Sequence, residues 1–140
     1  MSAKSALAFL KSQGYRDTQP RRMVLAALQK SRRPLSAPAI RLWITSRGWT
    51  INNVTVYRIL DLLKRLELIH AHTKDETFSL CPSPGKNGHH LSLHCTNCGT
   101  YEELHTPALC GNALSLARKV GFTPLQHLCE LLGRCSSCSR

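Results

Sequence analysis

The sequence predicts an α+β protein made of two small modules, the first mainly helical and the second richer in strands. Apolar residues recur at helical spacing as far as Leu66 and then give way to short extended runs. Residues 82–88, Pro-Ser-Pro-Gly-Lys-Asn-Gly, have the composition of a linker. Two Cys-x-x-Cys pairs, Cys95/Cys98 and Cys135/Cys138, bracket most of the chain beyond it. In a chain of 140 residues, two such modules have thin cores, because small domains bury a low fraction of their surface. Modules of that size usually need a metal, disulfides or a partner subunit. The seven cysteines and seven histidines are therefore the residues to account for.

Each element has its own signal. Ala6, Leu7, Phe9 and Leu10 predict a short helix that stops near Gly14. Thr18 is placed to cap a second helix, with Pro20 in the first turn, where its missing N–H costs little. Val24, Leu25 and Leu28 form the apolar stripe of that helix, which ends before Ser31-Arg32-Arg33-Pro34. Ser36 caps a third helix, with Pro38 in its first turn, Ile40, Trp43 and Ile44 facing inward, and Gly48 at its end. Asn52 or Asn53 caps the fourth, where Val56, Ile59, Leu60, Leu63 and Leu66 share one side. Thr55, Arg58, Lys64 and Arg65 occupy the other. Two extended pieces, 68–73 and 77–81, separated by Lys74-Asp75-Glu76, have the size and composition of a hairpin.

Helices, then a basic-faced helix, then a hairpin make a winged helix-turn-helix, whose last helix enters the DNA major groove. A generic small helical bundle is the plainer alternative. The expected division is a DNA-binding domain over 1–82, a hinge over 83–88 and a metal-binding domain over 89–140. In the last, 91–95 and 100–104 read as strands around a tight Cys-x-x-Cys-Gly turn. Residues 107–120 read as a helix ending at Gly121, and 122–132 as a further, partly irregular strand.

Charge is unevenly distributed. Residues 1–80 carry 14 Lys and Arg against 5 Asp and Glu, while residues 81–140 carry 5 against 3, giving +11 for the chain. A basic first half suits a polyanion, because neutralised phosphates release their counterions. Charge alone does not separate DNA, RNA and an anionic membrane. No run approaches the roughly 20 apolar residues of a membrane span, so no membrane partner is expected. Residues 1–13 lack the apolar run and cleavage site of a signal peptide, which predicts a cytoplasmic protein. In that reducing compartment, closely spaced cysteines act as metal ligands more often than as disulfides.

The two cysteine pairs suit one Zn2+ ion. A two-residue spacer lets both sulfurs of a turn reach a single ion, and zinc takes four thiolates tetrahedrally at about 2.3 Å. The 36 residues between Cys98 and Cys135 exceed the loop of a zinc ribbon, so the ion would enclose a whole small domain. A redox dithiol is the alternative. A second constellation straddles the linker: His70, Cys81, His89-His90 and Glu102-Glu103. Mixed nitrogen, thiolate and carboxylate donors suit zinc, and the soft sulfur argues against magnesium or calcium. An ion at the hinge would fix one module against the other and so set DNA affinity.

Taken together, Thr18-Gln-Pro-Arg21, Leu35-Ser36-Ala37, Thr55-Val56-Tyr57-Arg58, His89-His90 and the cysteine quartet resemble the ferric uptake regulator (Fur) family of bacterial metalloregulators, and within it the zinc uptake regulator (Zur) branch. The resemblance covers nearly the whole chain. It implies a homodimer with winged-helix N-terminal domains and α/β dimerisation domains. It further implies a repressor of zinc-uptake genes that binds double-stranded operator DNA with zinc as co-repressor. Matched by motif, Thr55, Tyr57 and Arg58 would contact DNA and Arg21 would approach its backbone. Cys95, Cys98, Cys135 and Cys138 would hold structural zinc. His70, Cys81, one of His89 and His90, and Glu103 would hold a regulatory zinc. Where the family commonly has His-His-x-His, this chain reads His89-His90-Leu91-Ser92-Leu93-His94. His90 is favoured as the ligand, on its distance from Cys95 and on an expected shared strand face with it. Cys81 stands where iron sensors of the family tend to carry an oxygen ligand, which favours zinc over an iron, manganese or peroxide signal. His127, with His89 and Cys110, is a candidate third metal site; His105 and Cys129 receive no role. A zinc enzyme is disfavoured, since the quartet leaves no open coordination position and no nucleophile–base arrangement is evident. No small organic ligand is expected.

Overall fold

The computed structural model describes residues 2–72, 76–81, 90–124 and 129–139. The chain divides into two compact units, Met1–Gly85 and Lys86–Arg140. The module boundaries expected at 82/83 and 88/89 lie outside the described residues.

The first unit runs α1 (Ala3–Ser12), α2 (Gln19–Lys30), β1 (Leu35–Ser36), α3 (Ala37–Thr45), α4 (Asn53–Arg65), β2 (Ile69–His72) and β3 (Thr77–Leu80). A reciprocal cap starts α1: Ser5 N donates to Ser2 Oγ at 3.1 Å, and Ser2 N donates to Ser5 Oγ at 3.0 Å. Gly14, at φ 79°, takes the left-handed conformation that turns the chain after α1. Thr18 occupies the N-cap position of α2, but its side chain makes no capping hydrogen bond, so Pro20 in the first turn carries the start signal. Ser36 caps α3 through Ala39 N at 3.3 Å. Asn52, not Asn53, caps α4, its Oδ1 accepting from Thr55 N at 2.8 Å. Asn52→Ala is expected to cost about 1 kcal/mol, read as a lower denaturant midpoint with an unchanged slope.

One core joins these elements. Leu10, Val24, Leu25, Ile40, Ile44, Val56, Leu60, Leu63 and Leu68 are buried in a single cluster. Trp43 is only half-buried; it packs at the cluster's edge while the Arg47 guanidinium lies 3.5 Å from its ring centroid. The strands form an antiparallel sheet in the order β1-β3-β2, with Leu35 opposite Phe78 and His70 opposite Ser79. The Cys81 N–H donates to Leu68 O at 2.9 Å and extends the hairpin ladder by one step.

The second unit contains β4 (His90–Cys95), β5 (Tyr101–His105), α5 (Pro107–Lys119) and β6 (Cys129–Gly133). Strand β4 is central, antiparallel to β5 and parallel to β6. Parallel neighbours need a crossover, and α5 lies in it. The strand expected within 122–132 begins at Cys129; residues 122–124 lie outside it. Among the described residues, the buried side chains of this unit are Ser92, Cys95 and Cys110. Leu104, Leu109, Leu116, Val120, Phe122, Leu131 and Leu132 are exposed. So little buried apolar surface cannot stabilise a fold alone.

Candidate metal centre and nucleic-acid face

The cysteine quartet assembles at the far end of the second sheet. Strand β4 delivers Cys95, whose N–H donates to Thr100 O at 2.9 Å. The turn after it closes through Gly99 N to Cys95 O at 2.9 Å, with Gly99 at φ 70°. Thr96 N donates to Gly133 O at 2.8 Å, which ties this turn to the end of β6. The chain leaving β6 forms the second turn, closed by Cys138 N to Cys135 O at 2.9 Å. All four sulfurs lie within 4.8 Å of one another, and Cys98 Sγ is 3.7 Å from Cys135 Sγ. A zinc tetrahedron with 2.3 Å bonds has sulfur–sulfur edges of about 3.8 Å. The donor set fits the ion.

Its electrostatics point the same way. Backbone N–H groups of Cys98 and Cys135 lower the Cys95 thiol to about 6, the Cys135 N–H lying 3.3 Å from its sulfur. The Thr100 hydroxyl, 3.1 Å away, lowers Cys98. At Cys138 a hydrogen bond from Asn97 acts downward, but the sulfurs of Cys135, Cys98 and Cys95 and burial outweigh it and push the thiol up to about 11. Thiolates packed this closely repel, and a dication offsets that repulsion as the last protons leave.

The residues expected to hold regulatory metal fall in both units. Cys81 is buried at 2 % exposure and His70 is half-buried. His70 pairs with Ser79 across the hairpin, two residues before Cys81, so His70 and Cys81 share one face as diagonal neighbours. Such positions are about 7–8 Å apart, within reach of one ion for an imidazole and a thiolate. In the second unit, Glu103 accepts a hydrogen bond from the Tyr101 hydroxyl, which lies 3.1 Å from Ser92 Oγ. Burial raises the Glu103 carboxyl above its ordinary range. His90 opens β4, but the shared face expected with Cys95 does not hold. Five residues is an odd step along a strand, and the positions alternating with Cys95 are Leu91 and Leu93. His90 stands on its distance from the cysteine pair alone. His89 and His127 lie outside the described residues. Cys110, the remaining member of the candidate third site, is fully buried, and its sulfur lies 4.0 Å from that of Cys129.

The candidate nucleic-acid face is the outer side of α4. Val54 is 58 % exposed and Tyr57 45 %, Arg58 is exposed and Thr55 half-buried. Val54 carries no mark in the sequence, since its spacing only says that it is off the core stripe. Arg21 belongs to α2: it donates to Arg16 O, and its guanidinium lies 5.6 Å from the Tyr15 ring centroid. Beside it, Asp17 bridges Arg22 at 2.7 Å and Lys11 at 3.1 Å. Hydrogen bonds from Arg22 and Lys11 hold its carboxyl down at about 2. His72, which no sequence motif singles out, is buried in the hairpin with Nε2 3.0 Å from Ser79 Oγ.

The chain is similar to known proteins in sequence and in fold. The profile of the "Ferric uptake regulator family" matches residues 12–132. The "Ferric uptake regulation protein" of Bordetella parapertussis is 30 % identical over 132 residues, covering 94 % of each chain. A crystal structure of holo XcZur superposes with TM-score 0.86 at 25 % identity, over 98 % of this chain and 96 % of that one. A zinc uptake regulator complexed with zinc and DNA gives 0.85 at 23 % identity, over 99 % and 96 %.

Proposed function

The chain belongs to the ferric uptake regulator family, and on that footing we propose that it is a zinc-responsive repressor controlling zinc-uptake genes. At the level of the family it is a metalloregulatory DNA-binding repressor and not an enzyme. In the proposed reading it acts in the cytoplasm as a homodimer on double-stranded operator DNA, with zinc as co-repressor. No helix among the described residues is long and apolar enough to cross a membrane.

The observation that carries the zinc reading is the hairpin register, in which His70 lies opposite Ser79, so that buried Cys81, two residues on, is its diagonal neighbour on one face. A thiolate beside an imidazole is a soft donor set that favours zinc over the harder oxygen-rich sites of other divalent ions. His90 and Glu103 would complete the ligands, leaving the cysteine quartet as a separate, structural zinc. The resulting division is a DNA-binding domain over 1–82, a hinge over 83–88 and a metal-binding dimerisation domain over 89–140. Zinc at the hinge ligands would favour the arrangement of the two DNA-binding domains that fits the operator. Likeness to holo XcZur supports this reading; the ferric relative at 30 % identity favours an iron-responsive alternative.

Binding of a zinc-uptake promoter fragment, followed by fluorescence anisotropy across zinc buffered with a chelator, tests the proposal. Affinity is expected to rise with free zinc and to fall steeply with added salt, because phosphate contacts release counterions. Binding that ignores zinc but responds to Fe2+ or Mn2+ would replace the zinc reading with the iron or manganese one. In the same assay Arg58→Ala is expected to weaken binding roughly 10- to 100-fold, as loss of a base contact worth about 1–3 kcal/mol does. Its melting temperature should be unchanged, because Arg58 lies on the solvent side of α4.

A further inference from the structure

Cys110 and Cys129 belong to neither proposed zinc site, yet they are close together in the second unit. Cys110 sits in the first turns of α5 and is fully buried, whereas Cys129 opens β6 and is half-buried. Their sulfurs are 4.0 Å apart across 19 residues of sequence, which is van der Waals contact between two thiols. Cys129 lies opposite Leu91, while the chain reaches Cys135 only after Gly133 at the other end of β6. About 13 Å of strand, at roughly 3.3 Å per residue, therefore separates this pair from the start of the turn that holds the quartet.

We propose that Cys110 and Cys129 form an oxidisable dithiol, a modification site that peroxides close into a disulfide between α5 and β6. A disulfide bond is about 2.05 Å long, so closure needs a shift of about 2 Å shared between two side chains. Rotation about the Cα–Cβ bonds supplies movements of that size. The order of events is set by exposure, since the oxidant reaches Cys129 before Cys110. The Cys129 thiolate sulfur attacks one peroxide oxygen, the O–O bond breaks, and the departing hydroxide takes up the proton lost by the thiol and leaves as water. Cys129 is then a sulfenic acid. The Cys110 sulfur attacks the Cys129 sulfur, the S–O bond breaks, and the hydroxyl leaves as a second water with the Cys110 proton. Two thiols and one hydrogen peroxide become one disulfide and two waters. Burial and the neighbouring Cys129 hold the Cys110 thiol above its ordinary range, which keeps its proton in place until that second step.

The test uses the full-length, zinc-loaded protein treated with hydrogen peroxide, blocked with N-ethylmaleimide and digested with trypsin. The tryptic peptide spanning 120–134 contains Cys129 as its one cysteine, so any cross-link to it is unambiguous on that side. The expected product joins it to Cys110, located by fragmentation, is reversed by dithiothreitol, and leaves the zinc content unchanged. In Cys110→Ser the cross-link should vanish and Cys129 should accumulate as a sulfenic acid that dimedone traps. If that variant fails to fold, Cys129→Ser, at the more exposed position, should leave Cys110 reduced under the same treatment. Full N-ethylmaleimide labelling of both residues after peroxide would overturn the proposal. So would cross-links that join Cys129 to the quartet, or a pair protected from both reagents until a chelator removes a bound metal.

Discussion

Cys95→Ser is expected to remove the zinc of the quartet and unfold the second unit while the first stays folded. Serine presents a neutral hydroxyl in place of a thiolate, so three sulfurs remain for an ion that takes four. The substitution also replaces the sulfur that accepts from the Cys135 N–H at 3.3 Å, a bond that links the two turns, with a smaller hydroxyl on a shorter bond. The fold has little else to draw on, since Ser92, Cys95 and Cys110 are the buried side chains among its described residues. Structural zinc supplies roughly 10–16 kcal/mol in small zinc-dependent folds. That matches or exceeds the roughly 5–15 kcal/mol total stability of an ordinary domain. Zinc per chain should fall by one, and hydrogen-exchange protection should disappear from 90–139 but persist in 3–65. Retained protection in 90–139 would show that the quartet does not hold this unit together.

Cys81→Ser is expected to do the reverse, leaving the fold intact and removing the zinc response. Cys81 ends the hairpin with its backbone N–H bonded to Leu68 O, a bond the substitution does not touch. By alternation along the hairpin Cys81 shares a face with His70. Losing outer-shell support costs metal sites about 10- to 100-fold in affinity, and losing a thiolate ligand should cost at least that. Operator binding should then stay flat through the zinc range that activates the parent protein, with one zinc per chain still retained. A preserved zinc response would clear Cys81 of the ligand role.

Features written into neighbouring residues are legible in the sequence. Helix α4 follows from a capping side chain and a stripe of aliphatics within one segment, and the quartet from two-residue spacings that match one ion. Features that are not legible depend on residues far apart in the chain. Strand β1 is two residues long and exists because Leu35 meets Phe78, which no local pattern announces. Thr18 has the right identity and position for a cap, yet its side chain does not make the bond. The nearness of Cys110 to Cys129 arises from a helix and a strand meeting, whereas the sequence suggests histidine partners for the one and no role for the other. The face of His90 departs from expectation for a simpler reason: alternation along β4 puts odd steps on opposite sides.

The parallel pairing of β4 with β6 also decides when the second unit can form. The chain must supply Cys135, 37 residues after Cys98 and 40 after Cys95, before the four sulfurs can meet. The first unit draws its helical contacts from nearby sequence and can fold as it emerges from the ribosome. With the quartet read as a structural zinc site, the later half must wait for its last ligands and for an ion to join them. Synthesis under zinc starvation would therefore yield chains with a finished reading head and an unfinished partner half, which are exposed to proteases until metal arrives.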